Sequence, residues 1–249
     1  MDTPLDDIRI GRVSHEWAQV QKLKTFHFPV VDSTNTKAKA EAFMADTLSE
    51  HLIVYFAEAQ SSGRGRGTHT WSNANPGSQL LSTWSFMLQD HVQPILSPLV
   101  GLALFKAANG TWPFLNFNLK APNDLYINDK KVGGLLIETV SQGDDIRLLI
   151  GLGLNVLSAP SDVPTATCIL HQLPKVAPLL AQDWITFLER FLFEVSIAIQ
   201  MAAEPLDTTT CLTLIHTLNK HPLLTEKYTA MDSEGNLKTA TKTINWFEL

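Results

Sequence analysis

Short apolar segments follow one another through the middle of the 249-residue chain, with turns rather than helices between them. Residues 125–127 and 132–139 form two such segments, and residues 128–130 (Asn-Asp-Lys) separate them. Asn and Asp tolerate the backbone conformations that a tight hairpin turn requires. A further apolar segment at residues 147–156 continues the series. The pattern predicts a mixed or antiparallel, hairpin-rich sheet and excludes the strict strand–helix alternation of a doubly wound fold.

Helical segments accompany these strands. Residues 36–48 are rich in alanine and follow several candidate N-caps, and residues 98–109 carry apolar side chains at helical spacing before Gly110, a candidate C-cap. Residues 184–201 show the clearest apolar helix face, with Asp183 as the predicted N-cap. The sequence therefore predicts the α+β class. Other strands are expected at residues 52–57, 80–88 and 116–120.

The sequence changes character after Pro205, where short polar segments with weak strand patterning begin. We therefore expect one domain over residues 1–205 and a small C-terminal β domain over residues 206–249. In the latter, residues 227–231 and 236–238 resemble two strands joined by a turn at Gly235. Two or three strands cannot bury an independent core, so this segment is expected to pack on the larger domain. The predicted docking side chains are Ile244, Trp246 and Phe247.

Composition restricts the partners and the compartment. The chain is 45% hydrophobic, which suffices for a sizeable core, and its net charge of −6 comes without any basic block. Nucleic acid is therefore not the expected partner, because phosphate binding needs clustered Lys and Arg. The two cysteines, Cys168 and Cys211, have no metal-binding spacing and favour a reducing compartment. No basic, apolar secretion signal begins the sequence and no apolar run approaches membrane-spanning length, so a cytoplasmic protein without a membrane partner is expected.

A glycine–arginine segment, residues 63–67 (GRGRG), directly follows the predicted strand at residues 52–57. Glycines let a backbone approach a ligand closely, and two guanidinium groups beside unpaired N–H groups form an anion cradle. A solvated turn with two surface arginines would have the same sequence. The GRGRG segment is neither a Walker loop nor a dinucleotide fingerprint, because the further glycine and lysine positions of those motifs are absent.

This segment belongs to an ordered set of motifs that resembles the biotin protein ligases. Residues 60–66 (QSSGRGR) with Trp71 resemble the signature loop of that family, and Asp32 to Asn35 resemble its DSTN segment. Three further motifs follow in the family's order: KAPNDLY at residues 120–126, KVGGLLIE at residues 131–138 and GLGLNV at residues 151–156. The chain departs from the family at Ala121, where a tryptophan is usual, at Thr68 and His69, and over its C-terminal part.

The resemblance implies a reaction in two steps. Biotin and Mg–ATP would give biotinyl-5′-AMP and pyrophosphate, and a lysine of a biotin carboxyl carrier domain would then accept the biotin. It also implies a catalytic domain of the class II aminoacyl-tRNA synthetase and biotin ligase type, with a shortened SH3-like segment at the C-terminus. The cofactors expected are biotin as a substrate, ATP and Mg²⁺. Both a monomer and a homodimer fit the sequence.

The resemblance assigns catalytic roles to Lys131, Arg64 and Arg66. Lys131 would contact both the biotin carboxylate and the α-phosphate, while the two arginines would hold the α-phosphate and the adenylate on a mobile, glycine-rich loop. Biotin itself would be bound by polar side chains suited to its ureido ring, by glycines that allow close approach and by two positively charged side chains. These are Ser33, Thr34, Asn35, Gln60, Gly63, Arg64, Lys131, Gly133 and Gly134.

The nucleotide would be bound by a second set of residues, for which ordinary structural roles remain open. Trp71 could instead be a core residue, Pro122 to Asp124 is a common turn sequence, and Asn155 could be a turn former; Ser33 and Thr34 could also serve as helix caps. The eight histidines form no ligand pattern, so no protein metal site is predicted. The nucleotide set is Arg64, Arg66, Trp71, Lys120, Asn123, Asp124 and Asn155.

Three alternatives remain at this point. A lipoate or octanoate protein ligase shares the adenylate route, but its arginine loop differs. A biotin-responsive repressor would need a winged helix of roughly 60 residues, whereas 31 residues precede Asp32. A non-catalytic biotin-binding relative is disfavoured because Lys131 and both arginines are present.

Overall fold

A computed structural model describes residues 8–90, 93–246 and 249. Its contacts divide the chain into two compact units. The first unit comprises Met1–His91 and Val132–Ile185, and the second comprises Val92–Lys131 and Thr186–Leu249. The contacts place residues 206–249 in the same unit as residues 92–131 and 186–205. The domain boundary expected near residue 205 stays a prediction.

The strands of the first unit form a mixed sheet in the order β1-β2-β3-β7-β6. The β1 strand pairs parallel to β2, and the other neighbours pair antiparallel. The second unit contains the β4–β5 hairpin and a small antiparallel sheet of β8, β9 and β10. The strands are β1 Lys24–Phe28, β2 Leu52–Ala57, β3 Gln79–Leu88, β4 Phe117–Lys120, β5 Asp124–Ile127, β6 Lys130–Gln142, β7 Asp145–Asn155, β8 Ala230–Met231, β9 Leu237–Lys238 and β10 Thr243–Ile244.

Seven helices are present among the described residues. Four lie in the first unit, α4 and α7 lie in the second, and α6 begins in the first and continues into the second. Within the described ranges, no helix is long and apolar enough to cross a membrane. The helices are α1 Ile10–Val20, α2 Thr34–Glu41, α3 Ala45–Leu48, α4 Leu96–Thr111, α5 Ile169–Gln172, α6 Ala181–Met201 and α7 Thr208–Asn219.

Both faces of the first unit's sheet are covered, which explains why β2 is an unbroken apolar run rather than an alternating one. On one face, Phe56 and Trp84 pack with Trp17 of α1, whose ring centroid lies 6.1 Å from that of Trp84. On the other face, Ile53 and Tyr55 form a core cluster with Ala38 of α2. The two helices therefore fix the sheet from opposite sides.

Residues 36–48, predicted as one helix, form two. The α2 helix ends at Glu41 and α3 covers Ala45–Leu48. Arg147 on β7 is completely buried, and its guanidinium donates to the carbonyl oxygens of Ala42 at 2.7 Å and Glu50 at 2.8 Å, and to that of Thr47. Free carbonyl groups at helix ends need such donors, so the arginine stabilises the break between the two helices.

The second unit has an aromatic core between two helices. Trp112, directly after α4, stacks on Phe187 of α6 at 5.5 Å, and Phe187 stacks on Phe191 at 6.1 Å. The predicted C-cap Gly110 is wrong, because α4 continues to Thr111. Gly110 instead leaves room for the Arg190 side chain. A Cβ at position 110 would lie only 2.8 Å from Arg190 Nη1.

Three other sequence expectations differ from the structure. The mixed first 31 residues contain a helix and a strand, α1 and β1, and the weakly patterned segment after Pro205 contains α7. Asp183 lies inside α6 rather than before it. The C-terminal strands are confirmed, with Gly235 at φ +88° in the turn and Trp246 buried. Ile244 is half-buried, and Phe247 lies outside the described residues.

Candidate active site

A buried polar network lies where α2 begins, beside β3. The side-chain oxygen of Gln60 accepts hydrogen bonds from the backbone N–H of Thr34 at 2.7 Å and from the Thr34 hydroxyl at 3.2 Å. The hydroxyl of Thr83 lies 2.9 Å from that of Thr34 and within hydrogen-bond distance of Asn35 Oδ1. Ser33 is also buried there. The predicted biotin-binding residues of this segment therefore lie together, and Thr83 joins them although the sequence analysis did not identify it.

The beginning of α2 is capped by a residue distant in sequence. Ser33 occupies the N-cap position, but its side chain makes no capping hydrogen bond. Gln60 accepts from the first helical N–H group in its place. Asn73 fixes Gln60 in turn, since its side chain bonds both the backbone N–H and the carbonyl oxygen of Gln60. Ser33 is thus no side-chain cap, and its hydroxyl is not committed to the helix end.

The glycine–arginine segment forms a small hairpin rather than an extended loop. Arg64 and Thr70 form an antiparallel bridge, and the N–H of Gly65 donates to the carbonyl oxygen of His69 at 2.8 Å. A Cβ at Gly63 would lie 2.6 Å from the carbonyl oxygen of Trp71, so glycine is required for this packing. The two arginines consequently project from a defined turn.

Trp71 lies against the sheet at a glycine of β7. A Cβ on Gly153 would come within 2.6 Å of the indole carbon Cε2 of Trp71, so any side chain there would displace the ring. Gly153 pairs with Gly134 of β6, and Gly133 pairs with Leu154. At the Gly134–Gly153 pair neither strand carries a side chain, which leaves room for the indole. Gly153 was not singled out from the sequence, although the GLGLNV motif contains it.

Arg64 is bound by a carboxylate in its own unit. Its Nη1 and Nη2 atoms donate to Glu138 at 2.9 and 2.8 Å, a bidentate pair. Asn35 Nδ2 donates to the same carboxylate at 3.1 Å. Burial alone would raise the pKa of Glu138, but the hydrogen bonds from Arg64 and Asn35 hold it below its usual value. Glu138 thus joins Arg64 to Asn35, and the sequence analysis left it without a role although it ends the KVGGLLIE motif.

Asn155 is bonded to the protein through both atoms of its amide. Its nitrogen donates to the carbonyl oxygen of Thr167 at 2.9 Å, and its oxygen accepts from Gln79 at 2.8 Å. Gln79 also accepts from the backbone N–H of Ala74. Asn155 therefore supports the segment that follows the glycine–arginine hairpin, and its contact with a nucleotide stays a prediction.

The remaining predicted residues belong to the second unit and lie on the β4–β5 hairpin or just after it. Lys131 Nζ forms an ion pair with Asp124 Oδ1 at 2.6 Å. Lys120 pairs with Asp124 across the hairpin, and its ammonium group lies 5.9 Å from the centroid of the Tyr126 ring. Asn123 lies in the turn between the strands. Lys131 is half-buried, whereas its neighbour Lys130 is exposed.

The structure therefore gathers the predicted residues in two groups, one in each unit. In the first unit, hydrogen bonds connect Arg64 to Asn35 through Glu138, and Asn35 to Thr34 and Gln60 through Thr83. Arg66 and Trp71 lie on the same hairpin as Arg64. Among the described residues, no three His, Cys, Asp or Glu side chains are placed to hold a metal ion.

Comparison with known proteins identifies the family. The sequence model of the biotin/lipoate A/B protein ligase family matches residues 27–155, just over half of the chain. The chain belongs to this family. The matched region contains every predicted site residue, from Ser33 to Asn155.

Individual relatives agree with this membership. The chloroplastic biotin–protein ligase 1 of Arabidopsis thaliana is 31% identical over 131 residues, which are 50% of this chain and 34% of that protein. The aligned segment thus spans about a third of that relative. The biotin protein ligase of Aquifex aeolicus in complex with biotin and ATP superimposes with a TM-score of 0.65 at 21% identity, over 90% of this chain and 97% of that one. The Leishmania major enzyme with biotinyl-5-AMP gives 0.53 at 24% identity, over 87% and 94%. These superpositions confirm the α+β fold with its mixed sheet.

Proposed function

We propose that this protein is an ATP-dependent biotin protein ligase. It converts biotin to biotinyl-5′-AMP and transfers the biotin to a lysine of a biotin carboxyl carrier domain. The observation that carries the proposal is the buried polar network of Thr34, Asn35, Gln60 and Thr83, connected through Glu138 to Arg64. The names of the relatives and the ligands of the related structures support the same reaction.

The network suits the ureido ring of biotin. That ring offers two N–H donors and one carbonyl acceptor, and hydroxyl and amide side chains can satisfy both kinds. The residues of the network are at most 7% exposed and bond one another, so the network offers a bound ring a fixed set of polar groups. A lipoyl or octanoyl chain has no group that could bond these side chains or the Ser33 hydroxyl, which makes no helix-capping bond. We therefore place the biotin ring against Ser33, Thr34, Asn35 and Gln60.

Activation of biotin requires two anions to approach. A carboxylate oxygen of biotin attacks the α-phosphorus of ATP, the bond to the bridging oxygen breaks, and pyrophosphate leaves. Arg64, Arg66 and Lys131 provide the positive charge that this step needs. The ion pair with Asp124 orients the Lys131 side chain before a substrate arrives. Gly63, Gly133 and Gly134 leave room for the backbone to approach the biotin rings.

Transfer consumes the adenylate. The neutral ε-amine of the acceptor lysine attacks the acyl carbon, the bond from that carbon to the phosphate oxygen breaks, and AMP leaves as the amine loses a proton. The adenylate has to be protected from water until the acceptor arrives. We assign this role to the hairpin that carries Arg64, Arg66 and Trp71, because a hairpin of this kind can close over a bound ligand.

We assign the nucleotide to Lys120, Asn123, Asp124 and Asn155, together with that hairpin. Mg²⁺ usually retains several waters and binds through phosphates and one or two protein oxygens, so it needs no protein cage. The side-chain oxygens of Asn123 and Asp124 fit such a Mg–ATP complex. The ion would shield the charge of the phosphates. Both cysteines are free, which is consistent with a reaction in the cytoplasm.

The proposal is tested by looking for the intermediate. The protein is incubated with biotin and Mg–ATP, and biotinyl-5′-AMP is measured by mass spectrometry. Thr34→Val removes a hydroxyl that bonds Gln60 without changing side-chain volume, so it should lower adenylate formation at least tenfold, about 1.4 kcal/mol. Thr36→Val, two residues later on the same helix, is the matched control. If the wild-type protein formed no biotinyl-5′-AMP, the proposed function would be wrong.

A further inference from the structure

The guanidinium group of Arg64 is already occupied by an anion within the chain. Glu138 accepts from both terminal nitrogens of Arg64, a bidentate arrangement that a substrate carboxylate or phosphate could also form. The Glu138 side chain is 19% exposed and that of Arg64 is 39% exposed. A substrate anion that uses the same edge must therefore displace Glu138.

Glu138 is fixed from its other side as well. It lies on β6, paired with Leu149 of β7, so its backbone is held by the sheet. Asn35 Nδ2 donates to its carboxylate at 3.1 Å and to the carbonyl oxygen of Leu136 at 3.3 Å. The structure makes space for this amide at Gly151, where a Cβ would overlap Asn35 Oδ1. The carboxylate is therefore a stationary partner, and the hairpin carrying Arg64 is the part that can leave.

We infer that Glu138 is a positioning residue that holds the arginine hairpin in place and competes with the substrate anion for Arg64. Before a ligand binds, the Glu138–Arg64 pair restrains the hairpin. When the biotinyl adenylate binds, its negative charge takes over the Arg64 fork. The inference rests on the proposed function only for the identity of that anion. The restraint of the free hairpin is a property of the chain itself.

The restraint can be measured without any ligand. Trypsin cleaves after arginine, so cleavage after Arg64 and Arg66 reports how often the hairpin opens. Glu138→Gln replaces one acceptor oxygen by an NH₂ group that faces the guanidinium, and so removes the bidentate pair. For a partly exposed ion pair, we expect cleavage to become about two- to fivefold faster. Glu16→Gln is the matched control, because it breaks the exposed Arg12–Glu16 pair on α1.

A double-mutant cycle separates this role from a general loss of stability. If Glu138 acts through Arg64, then Glu138→Gln should not accelerate cleavage after Arg66 once Arg64→Gln is present. An equal acceleration in both backgrounds would mean that Glu138 stabilises the sheet instead, and would overturn the inference. Unchanged cleavage in Glu138→Gln alone would overturn it too.

The competition is measured with a non-hydrolysable biotinyl-adenylate analogue. Because Arg64 no longer has to leave Glu138, the Glu138→Gln protein should bind the analogue about two- to fivefold more tightly than wild type. Unchanged or weaker binding contradicts the competition. If the wild-type protein did not bind the analogue while the cleavage results held, the proposed function would fail and the restraint by Glu138 would stand. The two ideas are thereby tested separately.

Discussion

The imidazole Nδ1 atom of His221 lies 2.6 Å from Oδ1 of Asn118, across 103 positions of sequence. Asn118 Nδ2 donates to the carbonyl oxygen of Asn128 at 2.8 Å, so its oxygen is the acceptor and His221 Nδ1 carries the hydrogen. The ring of Tyr126 meets the imidazole edge-on at 4.7 Å. The segment after α7 thus holds the β4–β5 hairpin, and Asn128 begins the turn that leads to Lys131.

The first prediction concerns the titration of His221. Burial lowers the pKa of His221, and the charge of Lys120 lowers it further. The unfolded chain therefore takes up this proton at a higher pH than the folded chain does. Stability is full above the ordinary histidine pKa of about 6.5 and falls as the pH drops toward the folded value. Between pH 7 and pH 5, the melting temperature of wild type should fall further than that of His221→Gln. Parallel curves would show that His221 does not contribute.

The second prediction separates two adjacent lysines. Lys131 is half-buried and paired with Asp124, whereas Lys130 is exposed. Successive side chains of a strand point to opposite faces, so only one of the two can serve the reaction. Lys131→Ala should lower adenylate formation by about 100- to 1000-fold, the usual effect of removing one electrostatic contact to a transition state. Lys130→Ala should remain within about twofold of wild type. If Lys130→Ala were the more damaging change, the assignment of Lys131 would be wrong.

The third prediction concerns retention of the intermediate. Arg66 lies on the hairpin between Gly65 and Gly67, and Gly67 has φ +61°. Arg66→Gly removes a charge that would hold the adenylate, while Arg64 and Lys131 remain. The variant should still form biotinyl-5′-AMP but release it faster, and biotinylation of an unrelated bystander protein should increase. Release is measured by rapid filtration and bystander labelling by streptavidin blot. Retention equal to that of wild type would remove this role from Arg66.

The fourth prediction concerns deletion of residues 225–249. Asn219 at the end of α7 bonds both the N–H and the carbonyl group of Tyr228. Gly235 lies against Ile95, where a Cβ would approach Ile95 Cδ1 to 2.9 Å. Deletion would remove buried Tyr228, Met231, Leu237 and Trp246 from the second unit, each worth about 1.5–3 kcal/mol of apolar burial.

The truncated chain should therefore melt at a clearly lower temperature than the full chain. Leu223→Ser, an exposed position just before the deletion point, is the control and should melt like wild type. If the truncated chain kept its melting temperature and lost only carrier biotinylation, the C-terminal segment would be an independent docking unit.

Local sequence patterns predicted the central strands well. The run at residues 52–57 forms β2 with the expected bounds, and the turn at Asn128 has the positive φ of 55° that the hairpin requires. These elements are specified by neighbouring residues. In contrast, α1 was not predicted: it has no side-chain N-cap, although Ile10, Val13 and Trp17 follow helical spacing, and it packs on β1 and β2. Its aromatic partner Trp84 lies 67 positions further along the chain, so the sequence did not show what the helix packs against.

The same distinction applies to the site. Motifs made Arg64, Gln60 and Lys131 candidates, because these residues lie within or beside characteristic glycine-rich or proline-containing segments. Thr83 and His221 lie in no such motif, and their roles depend on partners 49 and 103 positions away. Asn73 bonds the backbone of Gln60 and likewise lies outside the motifs. A residue that positions another is recognised by its proximity to that residue in the folded chain. A single sequence does not show this proximity.

The identity of the activated acid tests the central claim most directly. The decisive measurement is ATP–pyrophosphate exchange with biotin, lipoate and octanoate, each compared in wild type and in Thr34→Val. The buried network around Gln60 should pair with a ureido ring and with no part of a lipoyl or octanoyl chain. We predict exchange with biotin at least about 100-fold faster than with either other acid, and a loss of this preference in Thr34→Val. Equal exchange with lipoate would contradict the assignment of this family member to biotin.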